Sequence, residues 1–167
     1  EEGRKTFMNS LKYIFVTTSA NFGNMFSMAI ASFLLPFLPL LPVQILLNNF
    51  ISDLPAIAIA SDAVDEELVR KPRKWNMSYI WRFMIVFGLQ SSIFDFATFG
   101  LLYYVYHASP EEFRTAWFME SLLTEILILL VIRTQRSFIK SRPSKYLLWA
   151  TGLTFVFCIV IPYLPFA

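Results

Sequence analysis

Five long apolar windows, separated by shorter polar segments, dominate the pattern of the chain. A helix needs roughly 20 predominantly apolar residues to cross a bilayer. The pattern therefore predicts an all-α, polytopic membrane helix bundle with about five transmembrane helices. The second helix is predicted to be broken near Pro55, because proline lacks the N–H that a helix ladder needs. The windows are residues 13–35, 40–60, 83–106, 116–132 and 146–167, preceded by an amphiphilic segment at 1–12.

Composition supports a membrane protein and excludes several other classes. Apolar residues make up 56 % of the chain and charged residues 16 %, with a mean hydropathy of +0.55, whereas a soluble domain carries about 25 % charge. Disorder is excluded because it requires low hydrophobicity. The single Cys158 and the single His107 exclude a disulfide framework and a zinc site built from clustered histidines.

The placement of basic residues predicts an orientation. If the N-terminus is cytoplasmic, every Lys and Arg except Arg114 lies on the cytoplasmic side, which agrees with the positive-inside rule. We therefore expect a multi-pass protein of the cell (inner or plasma) membrane, surrounded by the lipid bilayer. The run 62–74 is interpreted as a solvated cytoplasmic loop and not as a nucleic-acid patch, so no nucleic-acid partner is expected.

Polar residues inside the second window are expensive in lipid and need an explanation. Asn49, Ser52 and Asp53 stand at i, i+3 and i+4 and share one helix face. Broken helices at mid-membrane build ion sites in many transporters, so this face predicts ion binding. The alternative is a polar contact between helices, and for the neighbouring Asn48 that interpretation is preferred.

The first window offers matching ligands. Asn21 and Asn24 lie on adjacent turns, and the short turn between the first two windows makes these helices antiparallel neighbours. Asn24 lies about 15 residues before Pro39 and Asp53 about 14 after it, so at about 1.5 Å per residue their depths nearly coincide. The sequence thus predicts one shared metal site formed by Asn21, Asn24, Asn49 and Asp53.

The chemistry of this ligand set is oxygen only, which suits Mg²⁺ or Ca²⁺ and disfavours copper and zinc. Mg²⁺ often keeps several waters, so the single sure carboxylate favours Mg²⁺. Ser52, Asp95 and Glu125 are candidates for a second shell or an ion path. Asp95 is equally explained as a polar contact with a neighbouring helix, and Glu125 as a ligand, a proton carrier or a neutral acid. Glu120 lies about one turn from the outer end, where it can reach water.

The chain contains no phosphate-binding glycine loop and no nucleophile motif, so it offers no catalytic residues and no cofactor-binding residues of its own. It nevertheless resembles the P-type ATPases, and among them the magnesium-transporting pumps. Residues 19–24 (SANFGN) resemble the ion-binding stretch of the fifth transmembrane helix of the pump. Residues 49–53 (NFISD) match the Asn-x-x-x-Asp of the sixth helix, which coordinates the transported cation in the family. The further segments that resemble the magnesium branch are 71–76, 82–85, 92–95 and 132–134.

The resemblance implies that 1–167 is the C-terminal transmembrane region of a cation pump, with 1–12 as stalk and the five spans as helices five to nine. The first four helices, the actuator, and the phosphorylation and nucleotide domains would precede Glu1, and a tenth helix would follow Ala167. ATP would act only through those absent domains, and Mg²⁺ would be the transported ion. Related calcium pumps carry an acid where Asn24 stands, so a calcium site here is weakened.

Three other interpretations stay open from the sequence. The first is a pump segment for Ca²⁺ or another cation, because Asp53-Leu54-Pro55 resembles the calcium pumps. The second is a passive channel or carrier, which would conduct cations without ATP. The third is a membrane scaffold, in which Asn21, Asn24 and Asp53 would serve stability alone.

Overall fold

The computed structural model describes residues 2–70, 74–134 and 141–163, and over these ranges the chain forms helices and connecting turns without a strand. The all-α prediction is confirmed. Predictions that involve 71–73, 135–140 or 164–167, such as the cytoplasmic side of Lys71 and Arg136, lie outside the described residues. The helices are α1 (Glu2–Leu34), α2 (Pro42–Ala58), α3 (Glu66–Val69), α4 (Met77–Gly100), α5 (Pro110–Ile132) and α6 (Lys145–Val160).

Four of the described helices, with the turns that extend them, are long and apolar enough to cross a membrane. The chain is accordingly a multi-pass membrane protein. Helix α1 has 33 residues, which is long enough to cross a membrane, but its polar positions lower its hydropathy. The first of the five predicted spans, 13–35, therefore stays a prediction. The four spans are Pro42–Ser61, Met77–Val105, Pro110–Ile132 and Lys145–Tyr163.

Local sequence signals explain where α5 and α6 begin. The Ser109 hydroxyl accepts from the Glu112 N–H at 3.3 Å, and the Glu112 carboxylate accepts from the Ser109 N–H at 2.8 Å. This reciprocal capping box satisfies two donors that a helix start leaves open, and Pro110 in the first turn has no N–H to satisfy. Ser144 caps α6 by accepting from the Leu147 N–H at 3.2 Å.

The predicted break near Pro55 takes a different form. Helix α2 continues through Pro55 to Ala58 and passes into a 3₁₀ turn at Ile59–Ser61. Pro55 removes one ladder bond to the carbonyl four residues earlier, but its ring is fully buried. Packing around the ring therefore holds the helical backbone across the proline, and the change in helical geometry comes only after Ala58.

Close contact between α1 and α4 fixes the position of α1. A Cβ on Gly23 would lie 2.9 Å from the Gly88 carbonyl oxygen, and one on Gly88 would lie 3.1 Å from the Ser19 carbonyl oxygen. Small residues let membrane helices approach at this distance. Ser92 adds a hydrogen bond from its hydroxyl to the Gly23 carbonyl at 3.2 Å. Helix α1 is therefore held against α4 one residue before Asn24.

Candidate cation site

A cavity of about 210 Å³ lies between α1, α2 and α5. Three of the four predicted ligands line it, namely Asn21, Asn49 and Asp53, and Thr17, Ser52 and Glu125 complete its polar wall. Asn21 of α1 and Asn49 and Asp53 of α2 thus line one cavity, whereas Asn24, whose depth the counting from Pro39 matched to that of Asp53, does not line it. The apolar part of the wall consists of Val16, Pro55, Ala56, Ile126 and Leu129.

Helix α2 presents its polar face to this cavity. Asn49, Ser52 and Asp53 lie on adjacent turns, and the Ser52 hydroxyl donates to the Asn49 carbonyl at 3.2 Å. Ser52 is buried, whereas Asp53 and Asn21 are exposed on the open side of the cavity. The cavity therefore has a closed wall, formed by α5, and an open side, on which a carboxylate and an amide are accessible.

Glu125 supplies the closed wall with a carboxylate. Its side chain is 9 % exposed, and its Oε2 has no hydrogen-bond partner among the described residues. It lies beside Ser52 and within electrostatic range of Asp53. An unpartnered carboxylate oxygen in a buried position is costly, so this oxygen fits a site that takes up a cation or a proton. Of the roles that the sequence left open for Glu125, a cation ligand agrees with its place in the cavity.

The fourth predicted ligand, Asn24, lies beside the cavity and not in its wall. Its amide oxygen accepts from the Ser121 hydroxyl at 3.1 Å. The same hydroxyl accepts from the Asn48 amide at 3.4 Å. Asn24 lines a second, much smaller cavity of about 20 Å³, which is about the room that one water molecule needs.

Asp95 ties three helices together. Its carboxylate accepts from the Ser27 hydroxyl of α1 at 2.5 Å and from the Trp117 indole N–H of α5 at 2.9 Å. Asp95 is 1 % exposed, and each oxygen has a donor. Of the two roles that the sequence left open for Asp95, a polar contact between helices agrees with this geometry.

Glu120 does not extend into water as the sequence suggested. It is half-buried, its Oε1 accepts from the Thr124 hydroxyl at 2.8 Å, and its Oε2 is buried. The Glu120 carboxyl also interacts with that of Asp95. The side chain turns inward because α4 packs against this face of α5, and its polar partners lie there.

The acidic content of the site is low. Across residues 2–70, 74–134 and 141–163, no group of three or more His, Cys, Asp or Glu side chains is placed to hold a metal ion. The cavity instead combines two carboxylates, Asp53 and Glu125, with the amides of Asn21 and Asn49. Hard, largely neutral oxygen ligands of this kind suit Mg²⁺ or Ca²⁺ and not a transition metal.

A second cluster of charges, which the sequence analysis missed, lies at the other end of α2. The Asp62 carboxylate accepts from Arg133 at 3.0 Å, from Lys12 at 3.3 Å and from the Ser144 N–H at 3.1 Å. Asp62 and Arg133 have no exposed side-chain surface. We call Asp62, Lys12, Arg133 and the Ser144 N–H the Asp62 cluster. Burial lowers the pKa of Lys12, and the charge of Asp62 opposes that change.

The Asp62 cluster corrects the interpretation of 62–74 as a solvated loop, because Asp62, Asp65 and Leu68 are buried. The loop folds back on α1, where the Asn9 amide donates to the Asp62 carbonyl at 3.0 Å. One signal could have revealed the cluster. The charge pattern puts Lys12, Asp62 and Arg133 at the same end of three different spans, where opposite charges can pair.

Membrane helices arranged around a polar, carboxylate-bearing cavity are typical of a cation transporter, and comparison with known sequences agrees. The family profile described as "Cation transporting ATPase, C-terminus" matches residues 37–167. The chain belongs to this family, and the resemblance to the P-type ATPases is confirmed.

Individual relatives sharpen this assignment. The chain is 47 % identical to "Magnesium-transporting ATPase, P-type 1" of Salmonella typhimurium (strain LT2) and 46 % identical to the protein of the same name from Escherichia coli K12, over 99 % of this chain in each case. It is 27 % identical to "Calcium-transporting ATPase" of Bacillus subtilis (strain 168), also over 99 % of this chain. The chain spans about 19 % of the length of each of these relatives.

Proposed function

We propose that this chain is the membrane part of an ATP-driven Mg²⁺ transporter and supplies its intramembrane cation site. The observation that carries the proposal is the cavity of about 210 Å³ that Asp53 and Glu125 line together with the amides of Asn21 and Asn49. Asp53 and Glu125 supply negative charge, and Asn21 and Asn49 supply neutral oxygens. Asn24, the fourth ligand that the sequence predicts, lies beside this set and lines only the smaller cavity.

Two independent facts favour Mg²⁺ as the cargo. The relatives of highest identity given above are named as magnesium-transporting ATPases. The cavity also has few charged ligands for a fully dehydrated dication, and Mg²⁺ tolerates this because it keeps several waters. Ca²⁺ is the second candidate, supported by the more distant calcium-transporting relative.

The open side of the cavity supports a partner role for the rest of a pump. An ionised Asp53 facing lipid would be expensive, yet Asp53 and Asn21 are exposed in this chain. The face of α2 around them is apolar and exposed at Phe50 and Leu54. We propose that the remaining pump helices cover this side and complete the site, and that the actuator, phosphorylation and nucleotide domains couple it to ATP.

The continuity of α1 supports a simple coupling mechanism. One uninterrupted helix runs from Glu2 to Leu34 and carries both the stalk at 1–12 and Asn21. A movement imposed on the stalk is therefore transmitted to Asn21 without an intervening hinge. With the N-terminus in the cytoplasm, tilting of α1 relative to α2 would separate Asn21 from Asp53 and open the cation site alternately to either side.

The decisive test is an Asp53→Asn variant of the full-length pump, assayed for Mg²⁺ uptake into cells that depend on it. The variant keeps the size of the side chain and removes its charge, so we expect uptake to be abolished. Glu111→Gln is the matched control, because Glu111 is an exposed acid outside the cavity, and it should transport normally. Normal uptake by Asp53→Asn would refute the site, and uptake of Ca²⁺ in place of Mg²⁺ by the unmodified pump would establish the second candidate.

A further inference from the structure

We propose that Ser121 is a positioning residue that determines cation specificity, because it holds the amide oxygen of Asn24 out of the cation cavity. The inference rests on the proposed cation site. It concerns which oxygens reach the cation, and Ser121 itself does not line the cavity of about 210 Å³.

The geometry around Ser121 is specific. Its hydroxyl donates to the Asn24 amide oxygen at 3.1 Å and accepts from the Asn48 amide at 3.4 Å, so donor and acceptor functions are both used. Ser121 is 4 % exposed and Asn48 is 3 % exposed. One hydroxyl of α5 thereby fixes the orientation of two amides, one from α1 and one from α2.

Regular spacing along α5 puts Ser121 between two other contacts. Trp117, Ser121 and Glu125 follow each other at intervals of four residues and share one helix face. Trp117 donates to Asp95 of α4, and Glu125 lines the cation cavity. Trp117 therefore anchors the turn of α5 before Ser121 to α4, and the amide of Asn48 helps to fix the hydroxyl itself relative to Asn24.

Asn24 is close to the cation cavity but not part of its wall. Asn21 and Asn49 line both the cation cavity and the small cavity of about 20 Å³ that Asn24 lines. A rotation of the Asn24 side chain would bring its amide oxygen towards these two amides. The hydrogen bond from Ser121 opposes that rotation, because breaking it would leave the buried Ser121 hydroxyl without its acceptor.

The number of oxygens in the cavity matters for the choice of cation. Mg²⁺ demands near-octahedral geometry and usually keeps several waters, whereas Ca²⁺ takes six to eight ligands in flexible arrangements. A further amide oxygen in the cavity would replace water and favour Ca²⁺. By withholding Asn24, Ser121 keeps the ligand set suited to Mg²⁺.

The test is competition between the two cations in the full-length pump, reconstituted in vesicles, with Ser121→Ala as the variant. The quantity measured is the Ca²⁺ concentration that halves Mg²⁺ uptake. We expect it to fall by roughly three- to tenfold, the range that one neutral hydrogen bond controls. Ser121→Thr keeps the hydroxyl and should restore the original value. An unchanged value for Ser121→Ala would overturn the inference.

A double variant, Ser121→Ala with Asn24→Ala, separates repositioning of Asn24 from general loosening of the bundle. If Asn24 causes the change, its removal returns Ca²⁺ competition to the value of the unmodified pump. Stronger Ca²⁺ competition that persists in the double variant would also overturn the inference. Failure of the proposed function looks different, because Asp53→Asn would then transport normally whatever residue stands at 121.

Discussion

Glu125 and Asp62 are both buried carboxylates, but their surroundings are opposite. Asp62 accepts from Arg133, Lys12 and the Ser144 N–H. Glu125 has an oxygen without a partner among the described residues, and it faces a cavity next to another acid, Asp53. One carboxylate is fully neutralised by the fold, whereas the other is left for something that the fold does not contain.

This difference separates a structural acid from a binding acid. A buried ion pair is expensive to break because its remaining partner is left charged and dry, so the Asp62 cluster holds α1, α5 and the loop after α2 together. The unsatisfied oxygen of Glu125 contributes little to the fold, and we propose that it gains its partner from a cation. We therefore expect neutralisation of Asp62 to affect stability, and neutralisation of Glu125 to affect cation affinity.

The largest expected effect is that of Asp62→Ala. Removal of this carboxylate leaves Arg133 and Lys12 buried without their acid, and loss of one partner from a buried pair costs about 3–5 kcal/mol. Thermal unfolding of the full-length pump in detergent should show a clear fall in melting temperature. Glu66→Ala, an exposed acid of the same loop, is the control and should melt unchanged. Equal melting temperatures of both variants would mean that Asp62 does not stabilise the fold.

Trp117→Phe tests whether Asp95 belongs to the same structural class as Asp62. The variant keeps an aromatic ring but removes the N–H that donates to Asp95 at 2.9 Å. Loss of the donor leaves a buried acceptor unsatisfied, which costs about 1–3 kcal/mol, so the melting temperature should fall by less than in Asp62→Ala. Unaltered stability would move Asp95 to the class of binding acids.

Gly88→Ala tests the contact between α1 and α4. This contact positions both the Asp62 cluster and the cation cavity, because α1 carries Lys12 in the first and Asn21 in the second. The added Cβ would meet a Phe22 ring carbon at 2.5 Å and the Ser19 carbonyl oxygen at 3.1 Å. Overpacking of this kind costs about 1–3 kcal/mol. Gly152→Ala is the matched control, because a Cβ there meets no atom within 4 Å. Melting temperatures of the two variants should therefore differ, and identical values would contradict the close approach of α1 and α4.

Of these variants, Glu125→Gln is expected to change the melting temperature least, while it weakens Mg²⁺ uptake. Because Oε2 of Glu125 has no hydrogen-bond partner among the described residues and Gln keeps the shape of the side chain, the melting temperature should fall by less than in Asp62→Ala. The Mg²⁺ concentration for half-maximal uptake should rise by at least about tenfold, the lower limit for loss of an outer-shell partner. A variant that melts early but transports normally would reverse the comparison between Glu125 and Asp62.

Periodicity and position predicted much of the fold and part of the site. Apolar windows located the helices, and the i, i+3, i+4 spacing put Asn49, Ser52 and Asp53 on one face. The short turn near Pro39 made the depths of α1 and α2 comparable. These features depend on helix geometry alone, which is why they can be read from residue spacing.

The remaining features depend on contacts between distant segments. Ser121 and Asn24 are 97 residues apart in the chain, and no local pattern specifies that their side chains meet. Asp62 lies in a stretch whose composition is typical of a solvated loop, and its pairing with Arg133, Lys12 and the Ser144 N–H explains its burial. At Pro55 the rule for isolated helices predicted a break, whereas packing around the buried ring maintains the helix.

The most direct test of the proposed cation site is to locate Mn²⁺, as a substitute for Mg²⁺ that anomalous diffraction detects, in crystals of the full-length pump. We expect an Mn²⁺ ion in the cavity between α1, α2 and α5, about 2 Å from a carboxylate oxygen of Asp53 or Glu125. The Asp53→Asn pump should lack this ion under the same conditions. An ordered Mn²⁺ elsewhere within the membrane, with water alone between Asp53 and Glu125, would contradict the proposed site.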